Sequence, residues 1–124
     1  MIGVPSFGEL TASQRIQTAA ADLFTSLLLA RSEAIKQNAD VTLSPSGNWP
    51  AGWVVASASG NLEVHGAVPN IAITGPASAT YRNNGRVAET TMPKFSFSSA
   101  RTSTKRCVQV GLGGQPVVTQ AACL

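Results

Sequence analysis

From Ser6 to about Ala39 the chain has no proline and, beyond Gly8, no glycine, and its apolar residues return at Ile16, Ala20, Leu23, Leu27, Ala30 and Ala34. Steps of four and three line one face of an α-helix, so this stretch predicts a single long amphipathic helix. Phe24, Leu28 and Ile35 widen the predicted stripe, which then needs a broad partner. Pro5 fixes the chain just upstream, and Ser6 followed by Glu9 has the form of a capping box that marks the helix start.

After Asn38 the period changes to two. Val41 with Leu43, Val54 with its neighbours, Leu62 with Val64, Ile71 with Ile73, Phe95 with Phe97, Val108 with Val110, and Val117 with Val118 each predict a short strand. Turn clusters separate them: Ser44 to Asn48, Ser57 to Asn61, Thr74 to Pro76, Asn83 to Gly85 and Gly111 to Gly114. The polar, basic stretch from Arg101 to Lys105 reads as an exposed loop. The fold class that follows is α+β: a helix over about 6–39 packed on an antiparallel β-rich lobe over about 40–124, all in one domain.

The composition supports burial over disorder. Hydrophobic residues make up 44% of the 124 positions and charged residues only 12%, enough apolar surface to offset the entropy of ordering one domain. The net charge of +3 is unevenly placed, because Arg82, Arg86, Lys94, Arg101, Lys105 and Arg106 face a single acid, Glu89, in the C-terminal part. Such a bias attracts polyanions or acidic surfaces. No apolar run approaches the roughly 20 residues that span a bilayer.

Cys107 and Cys123 are the only cysteines and His65 the only histidine, which leaves no ligand set for a metal. A Cys107–Cys123 disulfide is the economical reading, and it implies an oxidising compartment; two buried free thiols are the alternative. Catalysis finds no starting point either. Glu9, Asp22, Glu33, Asp40, Glu63 and Glu89 are scattered, His65 beside Gly66 reads as a solvent-exposed imidazole, and no phosphate loop or dinucleotide fingerprint is present. The residues call for no cofactor and no small-molecule substrate.

Several segments, in order, resemble one family. The helix that runs through Ala30-Arg31-Ser32-Glu33-Ala34-Ile35-Lys36 into Val41-Thr42-Leu43 is similar to the GspH/FimT family of minor pilins and pseudopilins. Trp49-Pro50-Ala51-Gly52-Trp53 resembles that family's Gly-Trp strand entry, Tyr81 to Arg86 its aromatic strand and Asn-Gly turn, and Cys107 to Val110 its late cysteine-bearing strand. The resemblance covers nearly the whole chain. It implies a type IV pilin-like fold and a non-catalytic subunit that helps to assemble or prime a type IV pilus, or else a type II secretion pseudopilus. Its expected partners are other minor and major pilins or pseudopilins, and the inner membrane through a hydrophobic segment upstream. Val4-Pro5-Ser6-Phe7 resembles the family's junction with that segment, so Met1 reads as a start residue added to a shortened, soluble, periplasm-facing domain.

Within this frame Arg31, Ser32, Glu33 and Lys36 read as the solvated flank of the helix, and Trp49 and Trp53 as a packed corner rather than a glycan or peptide platform. Gly52 is expected to allow close backbone approach between them, and Gly85 a positive φ. Some relatives of FimT type grip DNA with a Gly-Arg-x-Arg turn. The corresponding stretch here, Gly114-Gln115-Pro116-Val117, has neither arginine. What remains for weak phosphate binding is Arg101, Lys105 and Arg106, against the alternative of a plain solvated loop.

Overall fold

The computed structural model describes residues 7–123, so the expectations placed on Met1 to Ser6 lie outside the described residues. Helix α1 runs Phe7–Gln37, 31 residues without a break. It stops two residues short of the predicted end because Asn38 takes a left-handed conformation (φ 54°), and the Asn38 and Ala39 N–H groups close back on the Ile35 and Ala34 carbonyls at 3.3 and 3.2 Å. Asparagine is one of the few residues that adopts this cap geometry at low cost. Asn83 Nδ2 donates to Asn38 Oδ1 at 3.0 Å and holds the cap against the β lobe.

Eight strands follow: β1 Val41–Ser46, β2 Asn48–Ser57, β3 Gly60–His65, β4 Ala72–Thr74, β5 Ala79–Tyr81, β6 Lys94–Ser99, β7 Thr102–Val110 and β8 Pro116–Thr119. They form two antiparallel sheets, ordered β3-β2-β1-β5 and β4-β6-β7-β8. The strand β5 has no counterpart in the alternation of the sequence, and two further segments depart from the sequence reading. Pro45 lies inside β1, opposite Trp53, rather than in a turn. It is tolerated because β5 pairs only with Val41–Leu43, so at Pro45 no second neighbour requires the missing N–H. The predicted loop from Arg101 to Lys105 is mostly strand: β6 and β7 form a tight hairpin that turns at Ala100 and Arg101, and Thr102 pairs with Ser99. Polar threonine and serine alternate well enough on a half-exposed strand, and no apolar residue announces it.

The core is the space where α1 meets both sheets. Ile16, Ala20, Leu23, Leu27, Ala30 and Ala34 are all buried, joined by Ala12, Ala19 and Ser26. Against them lie Val41, Leu43, Trp53, Val55, Ala79 and Tyr81 from the first sheet and Ile73, Phe95, Phe97, Val108 and Val110 from the second. The alanines let both sheets approach the helix axis, while Leu23, Leu27 and Trp53 fill the wedge between the sheets. Leu28 and Ile35 do not join this face. They project roughly 100–140° round the helix from the buried row, and remain 43% and 51% exposed.

At the C-terminal end of α1 the two sheets are fastened to the helix and to each other. Arg31 Nε donates to the Gly85 carbonyl at 3.0 Å, so Arg31 is not the solvated flank residue its neighbours suggest. The buried Tyr81 hydroxyl of β5 donates to the Gly114 carbonyl, in the turn between β7 and β8, at 2.8 Å. Gly114 has φ +95°, and a Cβ there would lie 1.8 Å from the Gly85 oxygen, so only glycine permits this contact. Cys107 and Cys123 form a disulfide with Cα atoms 5.0 Å apart, which excludes the free-thiol alternative and fastens the tail beyond β8 onto β7.

Tyr81→Phe leaves the buried Gly114 carbonyl without its donor and should cost about 1–3 kcal/mol in a urea melt at neutral pH. Burial pushes the Tyr81 hydroxyl well above its ordinary pKa, against the opposing pull of Arg31 and with a smaller push from the Glu89 charge. Below about pH 10 the side chain is neutral in both states; above that, the unfolded chain releases the proton first, so folding stability falls as pH rises. The Phe variant should show a shallower alkaline fall. Cys107→Ser should destabilise the domain by about 2–5 kcal/mol; a loss within the error of the melt would show that the bridge adds nothing.

Candidate functional site

The Gly52 hinge builds a polar corner under the two tryptophans. Gly52 (φ +107°) brings β2 so near the end of β3 that a Cβ would lie 2.2 Å from the His65 oxygen. Trp53 is thereby turned inward, and His65 stacks flat on it, with ring centroids 4.0 Å apart and planes within 10°. Trp49 packs edge-on to Phe95 of the other sheet at 4.9 Å, and its indole N–H donates to the Pro76 carbonyl at 2.9 Å. Both tryptophans are buried, so the packed corner stands and neither ring is free to serve as a ligand platform.

Polar side chains in this corner tie α1 to the first sheet. The Trp53 indole N–H donates to the buried Ser26 Oγ of α1 at 3.0 Å, and the Ser26 hydroxyl donates in turn to Glu63 Oε1 of β3. His65 is half-buried rather than free in solvent: Nε2 lies 3.0 Å from Asp22 Oδ2 on α1, and Nδ1 lies 2.8 Å from the Gly66 carbonyl. Asp22, Ser26, Glu63 and His65 are thus brought together by the fold although the sequence scatters them. Spacing gives no sign of it, because the paired residues of α1 and β3 lie 37 and 43 positions apart in the chain. The group is a clasp rather than a reaction centre: its hydroxyl is engaged at both ends, and the Trp53 ring covers one face of the imidazole. Among the described residues no cluster of three or more His, Cys, Asp or Glu is placed to hold a metal ion.

The outer side of α1 is the larger candidate surface. Leu10, Phe24, Leu28 and Ile35 follow one another along it, with Leu10 52% exposed and Phe24 half-buried. A groove of about 390 Å³ runs along its N-terminal half, floored by Leu10, Ala19 and Val68 and edged by Arg15 and Asp22. No helix among the described residues is long and apolar enough to cross a membrane.

The candidate phosphate-binding residues are divided. Arg101 sits at the exposed β6–β7 turn and Lys105 is exposed on β7, whereas Arg106 is half-buried and its Nη1 donates to the Lys105 carbonyl at 2.9 Å. Neighbouring strand residues point to opposite faces, so Lys105 and Arg106 do not share a surface. Beyond the Gly-Arg-x-Arg position, the turn that ends at Gly114 is occupied with the Tyr81 and Gly85 contacts.

Two crystal structures of the type IV minor pilin FimU from Pseudomonas aeruginosa PAO1 have this fold. One superposes with a TM-score of 0.71 at 23% identity, covering 83% of this chain and 91% of that one. The other, from a second crystal form, gives 0.72 at 22% identity, covering 90% and 92%. No curated protein sequence matches the chain. The family model described as type II transport protein GspH matches residues 19–114, from the middle of α1 through the turn at Gly114. That match takes in the buried helix row from Ala19 onward, the Gly52 corner and the Tyr81–Gly85–Gly114 junction, and it makes this chain a member of the GspH family, built on a type IV pilin-like fold.

Proposed function

We propose that the chain is the globular part of a non-catalytic minor pilin that joins other pilins in a type IV pilus and helps to prime or cap the filament. The observation that carries this reading is the double use of α1. One face is consumed by the chain's own two sheets, while Leu28 and Ile35, flanked by the half-buried Phe24, form a second apolar row that the described residues leave partly open. Packing of such rows from neighbouring subunits would bury them, and helical shape more than any single charge would set the register.

In this reading the domain lies in the periplasm, tethered to the inner membrane by a segment upstream of α1 until it enters the filament. The Cys107–Cys123 bridge suits that oxidising compartment. The family description names type II transport, so a pseudopilus subunit is the second reading; the genes beside this one, pilus or secretion components, distinguish the two. A DNA-gripping role for Arg101, Lys105 and Arg106 draws less support, since Lys105 and Arg106 are neighbours on β7 and point to opposite faces.

The coding sequence should place a prepilin cleavage site and an apolar segment of about 20 residues ahead of α1, and a sequence lacking both would overturn the pilin reading. Leu28→Asp should leave the thermal midpoint of the domain within error, because the site is exposed. In a strain lacking the gene, the same variant should restore surface pili about ten-fold less well than the unaltered protein, the effect of losing roughly 1.4 kcal/mol at an interface. Full restoration would show that this row is not a subunit contact.

A further inference from the structure

At the N-terminal end of α1 lies a cleft of about 220 Å³ that the subunit contacts above do not use. Phe7, Thr11 and Arg15 line it from the helix, Asn70 from the loop after β3, and Arg101 from the β6–β7 turn. Two arginines from distant parts of the chain therefore line one small space. No carboxylate is among its lining residues, and neither arginine side chain has an ion pair or hydrogen bond within the described residues. Arg31, by comparison, is engaged by a backbone carbonyl. Asn70 is held at φ 65°, and its amide adds a neutral donor type to the lining. Two arginines with no carboxylate in the cleft lining suit a compact anion with several acceptor oxygens, and a phosphate group satisfies both at once.

The surroundings indicate where that phosphate comes from. Phe7 is 88% exposed and Leu10 52% exposed on the same end of the helix. An aromatic and an aliphatic side chain beside basic residues is the pattern of a surface that rests at a membrane interface, with the apolar groups at the acyl boundary and the cations among headgroups. This is also the end at which an upstream membrane segment would join, a step that rests on the pilin reading. We propose that the Arg15–Arg101 cleft binds the phosphate of an anionic phospholipid headgroup and so seats the domain on the membrane before it enters the filament.

The test uses the 124-residue chain with vesicles of phosphatidylglycerol and phosphatidylcholine, and with pure phosphatidylcholine vesicles, at low ionic strength. Arg15→Gln/Arg101→Gln is compared with Arg82→Gln/Arg86→Gln, which removes the same charge from exposed positions at the opposite end of α1; thermal melts confirm that both variants fold. Sedimentation with the anionic vesicles should fall about ten-fold or more for the cleft variant, as expected for two surface cations, and stay close to the parent for the control. Equal losses in both variants would reduce the effect to net charge and overturn the site. Resonance shifts at Arg15, Asn70 and Arg101 with sodium phosphate, in the absence of vesicle binding, would overturn the lipid source in favour of a free anion. Binding of duplex DNA that depends on Arg15 and Arg101, again without vesicle binding, would overturn it in favour of nucleic acid. Failure of the pilin reading is seen separately, as normal piliation in a strain lacking the gene.

Discussion

One helix face has to satisfy two sheets that share few contacts with each other. The first sheet is built from β1, β2, β3 and β5 and the second from β4, β6, β7 and β8, with no strand common to both. The row from Ala12 to Ala34 is what they hold in common. Burial of apolar surface favours this meeting but is non-directional, so it does not fix how the sheets are rotated about the helix. The angle is set by a few polar and backbone contacts: Trp49 against Phe95 at one end, and Arg31, Tyr81, Gly85 and Gly114 at the other.

The Ser26 clasp shows the same division of labour at smaller scale. A serine in the middle of a buried helix row is costly unless both its donor and its acceptor capacity are used. Here the Trp53 indole and Glu63 use them, and the result ties the first sheet to α1 at a defined height. Asp22 and His65 repeat the tie a turn earlier on the helix. An all-apolar row would bury as well but would leave the helix freer to slide along the sheet.

Much of this was legible in the chain. The α1 row at Ile16 to Ala34 and seven of the strands are written in alternation, and the two tryptophans around Gly52 mark a packed corner. β5 is too short for its alternation to register, and it is set by pairing with β1. The turn at Arg101 and the first half of β7 are hidden because threonine, serine and lysine carry no apolar period. Leu28 and Ile35 read as core because hydrophobicity marks a residue as apolar without saying which face is covered. His65 reads as solvent-exposed because its partners, Trp53 and Asp22, come from two other elements, and only the folded chain brings them near.

The bond between Cys107 and Cys123 closes a ring that spans a separation of 16 residues and includes the whole of β8. A single backbone cut inside that ring, by a protease in the turn at Gly111 to Gly114 for instance, releases no fragment, since both ends stay joined through sulfur. The edge strand β8 is thereby one whose loss requires two chemical events.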